Sequence, residues 1–294
     1  MDSPHRPALA SEVVELLRGK AVVIDATVGA GGHAEALLQS GVDTVLGLDR
    51  DASAVELASG RLARFAGRFR AVVSPFSRLA EAAADAGIDR AGGVLYDLGV
   101  SSMQLDEPER GFSYRLAGPL DMRMDRSGQV RAAGDVVNTY RQEDLERILA
   151  DYGEERFARR VSKAIVRARA RGNLRTTEEL AAVVAGAVPR QRGGPHPARR
   201  TFQALRIEVN QELEELAASL PQAVGLLEPE GRLVVLSYHS LEDRIVKQFV
   251  RADPSLRSIT KKPVRASAAE IEANPRARSV RLRAAELVAS EAAA

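Results

Sequence analysis

A glycine-rich bend directly behind an acid-capped apolar run does most to limit what this chain can become. The run is Val22-Val23-Ile24, the acid is Asp25, and the bend continues Ala26-Thr27-Val28-Gly29-Ala30-Gly31-Gly32-His33. A short run with no polar alternation reads as a strand buried on both faces, the habit of parallel sheets. Glycines behind it turn the chain sharply into a helix expected over about 33–40, and without Cβ atoms they let backbone lie directly against a ligand. In open α/β sheets that crevice, at the carboxyl ends of the strands, is where ligands bind.

The rhythm then repeats. Val45-Leu46-Gly47-Leu48 ends at Asp49, and a helix over about 52–65 carries Val55, Ala58, Leu62 and Phe65 on one stripe. Arg70 to Val73 reads as a third strand, and Val94-Leu95-Tyr96 ending at Asp97 as a fourth. The expected fold is therefore α/β, a doubly wound Rossmann-like parallel sheet. From about 105 to 210 no buried strand is legible; helical patterns run at about 141–151, 154–171, 177–187 and 200–218. A fifth strand, Leu233-Val234-Val235-Leu236, follows the turn Glu228-Pro229-Glu230-Gly231, then a helix at 241–251 and weaker strands near 256–260 and 279–283. Residues 106–210 are thus expected to form a helical domain inserted into a sheet domain made of 1–105 and 211–294. Residues 188–198 and 263–278 read as basic loops.

The acid ahead of the glycines discriminates between ligands. Asp49, 24 residues after Asp25, suits the two ribose hydroxyls that NAD and S-adenosylmethionine share. A carboxylate at Asp25 would oppose a dinucleotide pyrophosphate, whereas it suits the ammonium group of a methionine moiety. The bend, Gly29 included, therefore favours S-adenosylmethionine over NAD. Phe76, just past the third strand, is placed to lie against adenine, or to pack in the core. Asp97 ends the strand expected beside the first, where substrate and cofactor should meet.

The 294 residues hold no cysteine, which removes disulfides, thiolate zinc sites and cysteine nucleophiles. The four histidines show no metal-ligand spacing, and no metal is expected. No apolar run approaches ~18 residues, so neither a signal peptide nor a spanning helix is expected; a cytoplasmic monomer or homodimer is. The net charge of +2 conceals segregation: residues 156–206 carry 13 basic side chains against 2 acids, and 257–283 carry 8 against 2. Such sorting suits a polyanionic partner.

Seven stretches resemble the bacterial 16S ribosomal RNA cytosine-N4 methyltransferase family. They are D-A-T-V-G-A-G-G-H (25–33), D-L-G-V-S-S-M-Q-L-D (97–106), E-R-G-F-S-Y (109–114), G-P-L-D-M-R-M-D (118–125), R-R-T-F-Q-A-L-R-I-E-V-N (199–210), S-Y-H-S-L-E-D-R (237–244) and N-P-R-A-R-S (274–279). The resemblance implies a class I S-adenosylmethionine-dependent methyltransferase sheet, and a cofactor pocket lined by Gly31, Gly32, His33, Asp49, Phe76, Asp97 and Gln104. It implies methylation of the exocyclic N4 of a cytidine in the decoding region of 16S ribosomal RNA, in the small subunit. Met103 stands where the family usually has proline, and Tyr238 where it usually has phenylalanine.

Cytosine N4 is a poor nucleophile because its lone pair is delocalised into the ring, and acceptors on the amino hydrogens can free it. Asp97, Tyr238 and His239 are the catalytic candidates: Asp97 to serve the cofactor while another group polarises N4, Tyr238 to stack on the base, and His239 or a nearby carbonyl as acceptor or proton relay. The alternative makes Tyr238 a core aromatic and His239 the start of a helix. For RNA, Arg156, Arg159, Arg160, Lys163 and Arg167 form a basic stripe on the helix at 154–171, opposite the apolar stripe Phe157, Val161, Ile165 and Ala168. Arg190, Arg192, Arg199 and Arg200 extend that charge. Three rivals stay open: an NAD-dependent oxidoreductase, a catalytically idle RNA-binding protein, and a methyltransferase acting on protein or a small molecule.

Overall fold

The computed structural model describes residues 7–127, 130–189 and 194–288. The chain divides into two compact units, one running to Gly99 and resuming at Leu213, the other spanning Val100–Glu212.

The first unit is built on seven strands: β1 (Val22–Asp25), β2 (Thr44–Asp49), β3 (Phe69–Val73), β4 (Ala91–Asp97), β5 (Leu227–Ser237), β6 (Leu256–Ser258) and β7 (Arg281–Leu287). They lie in the order β3-β2-β1-β4-β5-β7-β6. The first five run parallel, and β7 is antiparallel to both β5 and β6. Alternate residues face opposite sides. Val23, Leu95 and Val234 join one apolar layer with Leu17, Leu37 and Leu62; Ile24, Tyr96 and Val235 join the other with Leu79, Leu216 and Leu220. Burial on both faces explains why these strands read as unbroken apolar runs. The order reverses between β1 and β4, so the crevice opens where Asp25 and Asp97 end their strands.

Two expectations change here. The turn at 228–231 does not precede the fifth strand but interrupts it: Ala91 pairs with Leu227 and Gly93 with Arg232, so the residues between bulge out, with Glu230 at φ 62°. The helix expected at 200–218 is two, Arg199–Asn210 and Glu212–Leu226, divided at Gln211 with φ 51°.

The second unit is helical, with no named strand among its described residues. Its core gathers Leu120, Met122, Val137, Ile148, Val161, Ile165, Leu180 and Phe202. The helix expected from 154 begins at Ala158, because Glu154 is left-handed (φ 47°) and the Glu155 carboxylate accepts the Phe157 N–H at 2.8 Å. The unit's limits also fall outside 106 and 210. Val100 and Leu105 pack against this core, and Glu212 holds Arg206 at 2.7 and 2.8 Å.

Asn210 pins the loop before these helices. Its Oδ1 accepts the Met124 N–H at 2.8 Å while its Nδ2 donates to the Met122 carbonyl at 2.8 Å, and the side chain is 3% exposed. Met122 itself sits at φ 59°. Asn210→Ala strands buried backbone groups, and should lower stability by about 2–4 kcal/mol, read as a lower urea midpoint at unchanged slope.

Candidate active site

Three carboxylates converge because β1, β2 and β4 each finish on aspartate. Asp25 is 1% exposed and accepts the Thr27 N–H at 3.2 Å. Asp49 accepts Gly29 N–H at 3.0 Å and Asp51 N–H at 2.9 Å. The Thr27 hydroxyl accepts the Asp97 N–H at 2.6 Å, so the bend is laced to both flanking strands. Sequence reasoning did not single out Thr27; the threonine two places after the acid was its only signal. Gly31 adopts φ +80°, which favours glycine, and a Cβ there would stand 3.0 Å from the Leu62 side chain, a tight fit.

His33 is 5% exposed. Its Nε2 lies 3.4 Å from Asp97 Oδ2, in ion-pair range but off hydrogen-bond alignment, and neither ring nitrogen has a hydrogen-bond partner among the described residues. Burial pushes this imidazole down, yet Asp97 and then Asp25 outweigh it and hold the group above its ordinary value. Burial raises Asp25 to about 7, with His33 and the Thr27 N–H pulling partly back and the other two acids pushing up. Burial likewise raises Asp49 to about 6.

These residues fit S-adenosylmethionine. Asp25 and Asp49 hold on to protons at the carboxyl edge, and a cationic ligand favours their charged forms. The His33 Nδ1, without a hydrogen-bond partner among the described residues, offers a polar contact, and the glycine bend leaves backbone open for approach.

The Tyr238 hydroxyl donates to Asp97 Oδ1 at 2.8 Å. Burial first, then the Asp97 charge, hold the phenol well above its ordinary value, so it stays a donor. The ring packs against the same apolar layer as Leu95 and Val234. Tyr238 is therefore tethered to Asp97 and to the core rather than presented as a stacking surface. His239 caps the helix Ser240–Ala252: its Nδ1 accepts the Glu242 N–H at 3.4 Å, and its Nε2 lies 3.1 Å from Glu242 Oε1. The Glu242 carboxylate accepts the backbone N–H groups of Tyr238 and His239 at 2.8 and 3.2 Å. That geometry is the helix-start alternative. Glu242 was overlooked as a functional support, although H-S-L-E has capping-box spacing.

Phe76 opens a short turn and sets its ring against Tyr96, centroids 5.8 Å apart at 78°, with Tyr96 in turn hydrogen-bonded to Ser219. Gln104 belongs to the second unit. Its Oε1 accepts the Ser101 N–H at 3.1 Å while Ser101 Oγ accepts the Gln104 N–H at 3.2 Å, closing a capping box.

The basic stripe of the second unit is exposed at Arg156, Arg159, Arg160, Lys163 and Arg167, opposite the fully buried Val161 and Ile165. Arg160 lies 5.8 Å over the Phe157 ring. Arg199 is exposed, and Arg200, also exposed, donates to the Glu154 carbonyl at 2.8 Å. Arg190 and Arg192 lie outside the described residues.

A parallel sheet extended by an antiparallel strand, with acids ending its central strands beside a glycine bend, is the Rossmann-like sheet of a class I methyltransferase. Residues 2–288 match the model of the MraW methylase family. "Ribosomal RNA small subunit methyltransferase H" of Acidothermus cellulolyticus is 49% identical over 97% of this chain and 94% of its own length. The protein of that name from Carboxydothermus hydrogenoformans is 47% identical over 97% and 98%. An rRNA methylase structure from Streptococcus thermophilus superposes over 95% of this chain and 94% of its own at 11% identity, TM-score 0.44. The chain belongs to the MraW methylase family. It is an S-adenosylmethionine-dependent methyltransferase.

Proposed function

We propose that this enzyme methylates the exocyclic N4 of a cytidine in the decoding region of 16S ribosomal RNA, acting on the small ribosomal subunit. The observation that carries the reading is Asp97, 24% exposed at the edge and paired with both His33 and Tyr238. Its placement beside a cofactor cradle, with an exposed basic stripe elsewhere on the chain, supports an amino acceptor on RNA. The relatives' names support the ribosomal target.

S-adenosylmethionine, when bound, supplies a strongly electrophilic sulfonium methyl. Asp25 would hold the cofactor's ammonium group and Asp49 its ribose hydroxyls. Gly29, Gly31 and Gly32 would leave room for it against the backbone, and Phe76 would border its adenine. His33 and Gln104 join this set on the family resemblance. Asp97 accepts an amino hydrogen of the cytosine, which localises the nitrogen lone pair, and afterwards takes the proton released at N4. Tyr238 holds that carboxylate in one orientation. His239 keeps its capping task. The base leaves its stack to reach this crevice. The reaction belongs in the cytoplasm; no helix among the described residues is long and apolar enough to cross a membrane.

Methyl transfer from labelled cofactor to small subunits, followed by nucleoside analysis, should yield N4-methylcytidine. Label in any other nucleoside, or in ribosomal protein alone, overturns the reading. Reversing the charge of Arg159, Arg160 and Lys163 together should weaken RNA binding at least tenfold at about 0.1 M salt and leave cofactor affinity intact. Equal RNA binding by wild type and variant across a salt titration would remove the stripe from the interface.

A further inference from the structure

The second basic segment, 257–283, has no part in that scheme, and the structure sorts seven of its eight cations into two kinds. Arg257 pairs with Glu286, and Arg283 and Arg281 face Asp243 at 2.7 and 3.9 Å, so these three brace the sheet's outer edge. Lys261, Lys262, Arg265 and Arg278 are exposed, with no carboxylate partner among the described residues. All four fall on the crossover between β6 and β7.

Register fixes where that crossover runs. Asp97 pairs with Leu236, Leu236 with Leu282, and Leu282 with Val264 through an isolated antiparallel bridge whose two N–H···O bonds are both 2.9 Å. One row across the sheet thus joins Asp97 to Val264. At about 4.8 Å per strand, Val264 lies about 15 Å from Asp97. Lys262 and Arg265 flank it. Arg278 is three residues ahead of Arg281, which pairs with Ser237, the neighbour of Tyr238. The segment is anchored rather than loose: Glu270 accepts the Leu9 N–H at 2.7 Å, which spends one of its two acids on structure and leaves Glu272 as the exposed one.

We infer that Lys261, Lys262, Arg265 and Arg278 form a phosphate-binding rim on the catalytic unit, which grips the RNA backbone beside the nucleotide being methylated. Unpaired cations at the carboxyl edge, beside the row that ends on the acceptor carboxylate and about 15 Å from it, match a strand that must enter with its base turned inward. Phosphate contacts of this kind position a substrate without reading its sequence. The inference rests on the RNA substrate proposed above and adds a second contact surface to the stripe of the helical unit.

The test compares wild type with Lys261→Glu/Lys262→Glu/Arg265→Glu and, separately, Arg278→Glu, on intact small subunits with the full chain. Cofactor affinity, measured by calorimetry, should stay within twofold of wild type. Subunit binding by the triple variant should fall at least tenfold, and its log-log salt slope should flatten by about 2, the loss of three single-strand phosphate contacts. Arg278→Glu should raise KM several-fold. In wild type, acetylation of Lys261 and Lys262 should slow when subunits are added and not when cofactor alone is. An unchanged slope and KM together with unprotected lysines overturn the rim. If wild type transfers no methyl group to subunit RNA, the substrate reading fails instead, so the two failures are distinguishable.

Discussion

Asp25→Asn should raise the melting temperature of the cofactor-free enzyme by several degrees at pH 8 and weaken S-adenosylmethionine binding at least tenfold. The two effects share one cause. Asp25 is 1% exposed, with a carboxyl raised by burial to about 7, so at pH 8 the fold carries a charge it solvates poorly. A group whose folded pKa stands above its unfolded value supplies stability that is complete below the unfolded value. That stability is lost as pH rises through the folded one. For Asp25 the window runs from about 4 to about 7, and three units amount to roughly 4 kcal/mol. Asp49, raised to about 6, and His33, raised above 6.5, drain in the same direction, so wild type should lose stability from pH 5 to pH 8. Asparagine keeps the acceptor for the Thr27 N–H and abolishes the charge, which removes most of this slope at a smaller cost for its buried amide. The advantage of the variant should therefore shrink at pH 5. The same charge is what the cofactor's ammonium group meets, and the demethylated product, which keeps that ammonium and lacks only the sulfonium charge, should lose affinity by a similar factor. Thermal scans at pH 5 and 8, with calorimetric titration of both compounds, check this. A variant that binds S-adenosylmethionine like wild type removes Asp25 from the cofactor's ammonium group, whatever its stability.

What the sequence revealed and what it hid follow one division. The four central strands were legible because a strand buried on both faces has no room for polar alternation, and each acid that ends one stands out against it. Asp25 could thus be identified, but not its shift: burial raises it, and Asp97 and Asp49 add to that only once β2 and β4 flank β1. The start of β5 was hidden because Glu228 to Gly231 carries turn chemistry, and does turn, inside a strand. The breaks at Glu154 and Gln211 were hidden because neither residue type advertises a left-handed backbone; tertiary packing imposes it. Long-range side-chain pairing was least legible. Tyr238 finds Asp97 across 141 residues because β4 and β5 are neighbours, and nothing local to either says so.

That pairing sets up the sharpest mechanistic contrast. Asp97→Asn should lower the rate of methyl transfer by about 10²–10³-fold, the range expected when a positioned proton acceptor is lost. Tyr238→Phe should cost no more than about tenfold. In the first variant the charged acceptor that takes the proton is gone; the amide that replaces it is a weaker acceptor and can turn a donor toward the cytosine amino group. In the second the carboxylate remains and loses one neutral donor, while the Tyr238 ring keeps its packing and the backbone N–H groups of Tyr238 and His239 stay bonded to Glu242. The resemblance points the same way, since phenylalanine is usual at this position in the family. Under single-turnover conditions with saturating cofactor, the ratio between the variants isolates the acceptor from its tether. A Tyr238→Phe enzyme as slow as Asp97→Asn would move the acceptor from the carboxylate to the phenol oxygen. An Asp97→Asn enzyme at wild-type rate would take both groups out of the chemistry and leave proximity alone to drive the transfer.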